Sequence, residues 1–292
     1  MTDVRRPMSP FRISLRRFLR NRLAVVCLVL VAVFAVVCIA GPWLSQYDYR
    51  RVPLDDDWPQ GPSARHWFGT GELGRDLLVR CLVGGRISLA VGLVGTLVSV
   101  VIGVSYGAVA GYRGGRTDGV MMRFVDVLYG LPYLLFVVLI MAMLGRDITP
   151  TQRIVAMFVA LGAVQWLTMA RIVRGEVVAL KRKEFVEAAR AAGAGWVRIV
   201  FRHIVPNLAG IVVVYSTLTV PAIMLQEAFL SYLGLTDKEL PSWGSLIGEG
   251  ASAMEAYPHL LLFPGLMFTL VLFALNFIGD GLRDAFDPQM RD

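Results

Sequence analysis

The stretch EFVEAARAAGAGWVRIVFRHIVP, residues 184–206, decides how the rest of the chain is read. It is polar and helix-prone, yet it lies between two long apolar runs. Ala188, Ala189, Ala191 and Ala192 follow two glutamates, so the spacing predicts a helix over 184–192. Gly193 and Gly195 break it, and a second helix over 196–203 is expected to stop at Pro206. Joining two membrane spans takes only a few polar residues. The segment 171–203 is far longer than that and carries eight Lys and Arg residues.

Outward from this joint the chain is apolar. Of its 292 residues 56% are hydrophobic and 17% charged, and the mean hydropathy is +0.60, which places it in the membrane class. Six uncharged or nearly uncharged spans are expected, at 23–44, 87–112, 124–145, 154–170, 204–226 and 258–279. Residues 1–22 hold seven arginines and form a basic N-terminus. The first span is too long for a signal-peptide core and is followed by Gly-Pro-Trp rather than a cleavage site, so it reads as retained. With both termini on the inner side, 20 of the 29 Lys and Arg residues fall on inner segments. That is the bias cytoplasmic loops show, and it accounts for the net charge of +7 without nucleic acid. The organisation is a cytoplasmic N-terminus (1–22), a first span (23–44), an extracytoplasmic loop (45–86) and a core of five spans (87–292).

Several local features carry a structural reading. Gly103, Gly107 and Gly111 recur every four residues and give the second span a bare face for tight helix packing. Asp126, one turn into the third span, reads as interfacial. Cys27, Cys38 and Cys81 show neither paired nor metal-ligand spacing and read as packing residues. The acidic segment 227–257 contains AFLSYLGL and SWGSLIGEG, too short to cross, and is expected to form short helices dipping at the outer surface.

The chain holds no GxxxxGK[ST] phosphate loop, no HExxH and no GxSxG. Ionisable residues are missing from the middle of every expected span, which argues against an ion-coupled transporter. Polar candidates within the spans are Ser99, Gln165, Thr168 and Ser216. The chain therefore reads as a pore or gate without its own energy source, and the inner joint is where a partner could deliver force. Lys183 and Glu187 could pair along the first helix, Gly193 permits a positive φ at its end, and Trp196, Arg198, Arg202 and His203 could anchor the second helix at the lipid interface. An ordinary interfacial helix and a partner-contact surface both fit these residues.

Glu187-Ala188-Ala189, then Gly193, then Pro206 resemble the EAA loop of ATP-binding-cassette importer permeases. RHIVPN (202–207), FGTGELGRDLLVR (68–80), GGRISLAVG, PSWGSLIGEG, NFIGDGLRDAFDP and RRFLRNRLAV are similar to the dipeptide and oligopeptide branch. Gly71 and Val79 stand where that branch's pattern has Asp and Ser. The resemblance covers nearly the whole chain and identifies it as a C-type permease subunit. It implies an all-α, polytopic type I importer permease fold with six transmembrane helices, N-in and C-in. It makes Glu184, Glu187, Ala188, Ala189, Gly193 and Pro206 the ATPase-coupling residues. It further implies a B-type permease partner, two ATPase subunits or one fused ATPase, and an extracytoplasmic peptide-binding protein in a bacterial cell membrane. ATP and Mg would belong to the ATPases, with no cofactor on this chain. Nickel or another small solute is the alternative cargo; a secondary transporter and a scaffold subunit are the rival classes.

Overall fold

The computed structural model describes residues 10–51, 59–71, 73–132, 150–234 and 241–286, together with 135, 137–139 and 143. Every regular element among them is helical, apart from an isolated bridge between Thr70 and Asp76. In chain order they are α1 (Pro10–Arg20), α2 (Arg22–Leu44), α3 (Leu77–Arg113), α4 (Gly115–Tyr129), α5 (Pro150–Leu180) and α6 (Glu184–Ala191). A helical run follows, made of α7 (Trp196–Arg198), a π-turn (Ile199–Ile204) and α8 (Val205–Asn207). Then come α9 (Ala209–Tyr232), α10 (Trp243–Ser252) and α11 (His259–Phe286).

α3 is the centre of the bundle and packs on α5, α9, α2 and α10. Its glycines explain why. A Cβ at Gly103 would lie 2.6 Å from that of Met169, one at Gly107 would run into the Ala170 carbonyl, and one at Gly111 would lie 2.8 Å from the Arg174 carbonyl. The glycine stripe expected to pack tightly does so, with α5 laid against it. On the other side a Cβ at Gly92 would lie 2.7 Å from Met224 of α9. Close approach of backbones is the main source of helix association where lipid removes the hydrophobic drive.

Four described helices are long and apolar enough to cross a membrane: α2, α3, α9 and α11. The expected fourth span, 154–170, lies inside α5. The expected third span begins in α4, which ends at Tyr129 before Pro132; most of its remainder, from 133 to 145, lies outside the described residues.

Several boundaries differ from the sequence expectation, and at two of them a charge read as loop is paired within the fold. α3 starts at Leu77, so residues 77–86 belong to it rather than to the 45–86 loop. Asp76 caps it by accepting from the Val79 N–H at 2.9 Å and bonds His66 Nδ1 at 2.8 Å. Arg80, buried on α3, donates to both carboxylate oxygens of Glu249 on α10 at 2.8 and 2.9 Å. A side chain at Gly71, 3.3 Å from Arg80, would compete for that guanidinium. α4 starts at Gly115, so Arg116 and Arg123 are helical rather than in a loop. Residues 171–180, read as loop, are the last turns of α5, where Arg174 binds Asp118 on α4 at 3.0 and 2.5 Å. α1 is a helix of its own, with Phe18 buried beside Ala24, Ile278 and Ala285. The tail residues up to Phe286 extend α11 past Gly279.

In the segment 227–257, expected to hold short outer helices, the first part is the largest correction. AFLSYLGL does not begin a short helix of its own; its first part continues α9 to Tyr232. Glu227, counted among the outer acids, is fully buried and accepts from Ser88 at 3.0 Å and Ser231 at 2.6 Å. SWGSLIGEG forms α10, opened by a capping box between Ser242 and Ser245. Trp243 is fully buried, donating through Nε1 to the Cys81 carbonyl at 3.0 Å and through its backbone N–H to Ser88 at 3.3 Å. α10 is thus stapled to α3 at both ends. Glu249→Gln is expected to cost about 2 kcal/mol, since it leaves the Arg80 guanidinium without its charged acceptor. The Arg80→Gln/Glu249→Gln double variant should lose less than the sum of the single changes, as read by thermal unfolding in detergent.

Candidate functional site

α6 forms because its residues are mostly strong helix formers and its first turn carries Glu184 and Glu187 at the positive end of the helix dipole. Lys183 precedes it in an extended conformation, φ −82° and ψ 148°. That puts Lys183 outside the helix, and among the described residues the expected Lys183–Glu187 pair is not formed. The helix ends at Ala191, one residue earlier than expected. Gly193 takes φ +81°, donating to the Arg190 carbonyl at 3.0 Å, while the Ala194 N–H reaches back to Ala189 at 3.1 Å. This is the Schellman arrangement, with glycine at the left-handed position and Ala189 and Ala194 both packed against the cluster beneath it.

One residue plants α6 in the protein. Val186 is fully buried in a cluster with Val104 and Ala108 of α3, Met169, Val173 and Val177 of α5, and Ile199, Val200 and Ile204 of the π-turn. Ala189 is half-buried against the same cluster. Glu184, Glu187 and Ala188 face outward and are exposed. The helix therefore has a narrow apolar foot and an outer face that carries Glu184, Phe185, Glu187, Ala188 and Arg190.

The second limb departs from expectation. Pro206 does not stop it. Proline lacks an N–H and its ring crowds the carbonyl four residues earlier. Here the preceding turn is widened to π, with Val205 N–H bonding Val200 five residues back, and the helical run passes through Pro206 to Leu208 and into α9. Asn207 adds a side-chain bond to the His203 carbonyl at 2.6 Å. π-turns inside helices often mark functional positions. Two further contacts tie the loop to the end of α3: Lys181 Nζ donates to the Gly111 carbonyl at 2.7 Å, and the Arg113 guanidinium stacks 4.5 Å from the centre of the Trp196 ring.

The structure thus gathers Glu184, Glu187, Ala188, Ala189 and Gly193 on one short helix and its cap, and puts Pro206, exposed, on the second limb. Sequence reasoning missed Val186, Lys181 and Asp118, which hold that helix and the end of α5. The signal for Val186 was present: it is the lone β-branched residue in an alanine-rich helix. Among the described residues no group of three or more His, Cys, Asp or Glu could hold a metal ion. Cys27, Cys38 and Cys81 are free and buried, and Cys81 lies in α3 rather than in a loop.

A central glycine-striped helix, apolar helices around it and a short helix docked on them define an all-α, multi-pass membrane permease. Comparison with known proteins makes the class specific. The model of the binding-protein-dependent transport system inner membrane component matches residues 103–292, and that of the N-terminal TM domain of oligopeptide transport permease C matches residues 9–62. The chain belongs to this family of transport-system inner membrane components, in its branch of C-type oligopeptide and dipeptide permease subunits. It is 50% identical to the oligopeptide transport system permease protein OppC of Escherichia coli (strain K12), over 94% of this chain and 90% of that one. It is 47% identical to the OppC of Haemophilus influenzae, over 94% and 88%, and 43% identical to the dipeptide transport system permease protein DppC of Bacillus subtilis (strain 168), over 99% and 89%. Among solved structures, the inward-facing MetNI methionine ABC transporter is similar in fold, with a TM-score of 0.57 at 20% identity, covering 72% of this chain and 96% of that chain.

Proposed function

We propose that this chain is one of two permease subunits of an ATP-binding-cassette importer that passes short peptides into the cytoplasm by alternating access. The relatives' names, oligopeptide and dipeptide permeases, support the cargo. The arrangement of the inner loop carries the mechanism. α6 offers an exposed face with Glu184, Glu187 and Arg190, one ring (Phe185) and otherwise alanines, suited to a groove on an ATPase subunit. Its foot, Val186, stands on α3, α5 and the π-turn together. A push on α6 therefore reaches three spans at once rather than bending a loose loop. Glu184, Glu187 and Ala188 would meet the ATPase, Ala189 and Gly193 would fix the helix end, and the widened turn before Pro206 would let the second limb run on into α9.

In this reading six spans cross the membrane with both termini inside, α5 and the segment from α4 to residue 145 supplying the two beyond the four apolar helices. The basic bias of the inner segments supports it. The partners are a B-type permease, two ATPase subunits or one fused ATPase holding ATP and Mg, and an extracytoplasmic peptide-binding protein that meets the 227–257 face. This chain performs no catalysis itself and takes no nucleic acid.

The test is peptide uptake by the complex reconstituted in vesicles. Glu187→Lys, on an exposed face, is expected to lower uptake by about tenfold or more while the subunit inserts and assembles normally; one reversed charge at a contact costs enough for that. Gly193→Val forces a β-branched residue to φ +81°, costing about 2 kcal/mol, and should uncouple ATP hydrolysis from uptake. Normal uptake by both variants would remove the role assigned to the loop.

A further inference from the structure

The exposed faces of the helices are of two kinds. α2 shows Val26, Val29, Val33 and Val36; α3 shows Leu93, Leu97 and Val101; α11 shows Leu262, Leu266, Leu270 and Phe273. These faces suit lipid. The exposed stripe on the inner half of α5 is Thr168, Arg171, Gly175 and Ala179, with Gln165 half-exposed one turn above, and it includes no large apolar side chain.

The part of this stripe from Gln165 to Arg171 lies above the last turn of α3, where Gly111 meets Arg174 and Val177. Ala170 abuts Gly107, which precedes Arg113 at the inner end of α3 by six residues, about 9 Å along a helix. Thr168 and Gln165 lie about 4.5 and 9 Å further in from Arg171. Arg171 does not reach for the headgroups. Its guanidinium sits 4.2 Å from the centre of the Tyr129 ring and bonds Asp126 at 2.7 Å, both on α4. Tyr129 and Thr168 share a hydrogen bond of 3.0 Å. Both members of the ion pair are about half exposed, at 42% and 58%. Exposed polar and charged side chains at this depth face water or protein, not lipid.

We propose that Gln165, Thr168 and Arg171 of α5, with Asp126 and Tyr129 of α4, form a wall of the path taken by the peptide. The proposal rests on the peptide-import reading and adds which surface the cargo meets. The wall offers hydrogen bonds suited to backbone amides, which every peptide carries. Its two charges cancel, so it neither holds acidic cargo nor repels basic cargo, as a carrier of varied side chains requires.

Two measurements on the assembled transporter test this. In a subunit with Cys27, Cys38 and Cys81 replaced by alanine, Thr168→Cys is expected to react with a membrane-impermeant thiosulfonate about tenfold faster than Val33→Cys on the lipid face, since the charged reagent needs water. Asp126→Asn leaves Arg171 unpaired. It should raise the import ratio of Ala-Glu-Ala to Ala-Lys-Ala about fivefold, with Asp126→Glu retaining the original ratio. Equal labelling of Thr168→Cys and Val33→Cys, or an unchanged ratio in Asp126→Asn, overturns the wall. A wild-type complex that imports neither peptide overturns the cargo reading instead, and the labelling then decides the wall alone.

Discussion

Gly107→Leu is expected to abolish accumulation of folded subunit in the membrane. The α3 backbone touches the α5 backbone here, and a Cβ at Gly107 would meet both the Ala170 carbonyl and, at 3.0 Å, Val173 Cβ. Overpacking usually costs about 1–3 kcal/mol because a neighbouring side chain can turn aside. A carbonyl in a helix cannot turn aside without breaking its own hydrogen bond. The two helices must separate along their length, emptying the cluster that also holds Val186. The cost should therefore exceed about 3 kcal/mol, beyond the upper end of that range. Membrane abundance and detergent thermal stability measure it. Gly175→Leu, where a Cβ would meet nothing within 4 Å, is the control and should be tolerated. Normal abundance of Gly107→Leu would show that α3 and α5 are not held by backbone contact.

Val186→Asp should have the second large effect, on coupling rather than insertion. Val186 is fully buried among aliphatic side chains, and an aspartate there finds no partner. Burying an unpaired carboxylate costs several kcal/mol, more than a one-residue foothold can supply. α6 should therefore lift off while the spans keep their packing. The expected result is a subunit present at near-normal level, with peptide uptake lost and the loop open to proteolysis after Lys183 or Arg190. Val186→Ile, similar in shape, should retain uptake. Loss of the whole subunit in Val186→Asp would mean that α6 is part of the folding core rather than a docked lever.

Much of this was legible in the sequence, for identifiable reasons. Helix α2 is uncharged from Leu23 to Leu44, and its limits match that apolar run closely. The four-residue recurrence of Gly103, Gly107 and Gly111 announced a close helix contact. Gly193 after an alanine-rich helix announced a left-handed cap. Failures arose where charge was taken as a sign of loop. Arg80, Arg116, Arg171 and Arg174 all lie in helices, and Arg80, Arg171 and Arg174 are paired with acids far away in the chain: Glu249, Asp126 and Asp118. Local composition cannot show such pairings. Glu227 is the clearest case. Beside the apolar end of α9 it read as the first residue of an acidic outer loop, but Ser231 one turn later and Ser88 on α3 make it a buried node. Pro206 failed differently. The rule that proline ends a helix assumes α geometry, and a π-turn removes the conflict.

The central claim is that force enters this protein at α6 from an ATP-hydrolysing neighbour and that the chain supplies none. The direct measurement is peptide accumulation in proteoliposomes, comparing the purified subunit alone with the complete transporter, each with ATP and with a non-hydrolysable analogue. The account predicts accumulation against a gradient by the complete transporter with ATP and nowhere else. Uphill accumulation by the subunit alone, or by the complete transporter without hydrolysis, would contradict it.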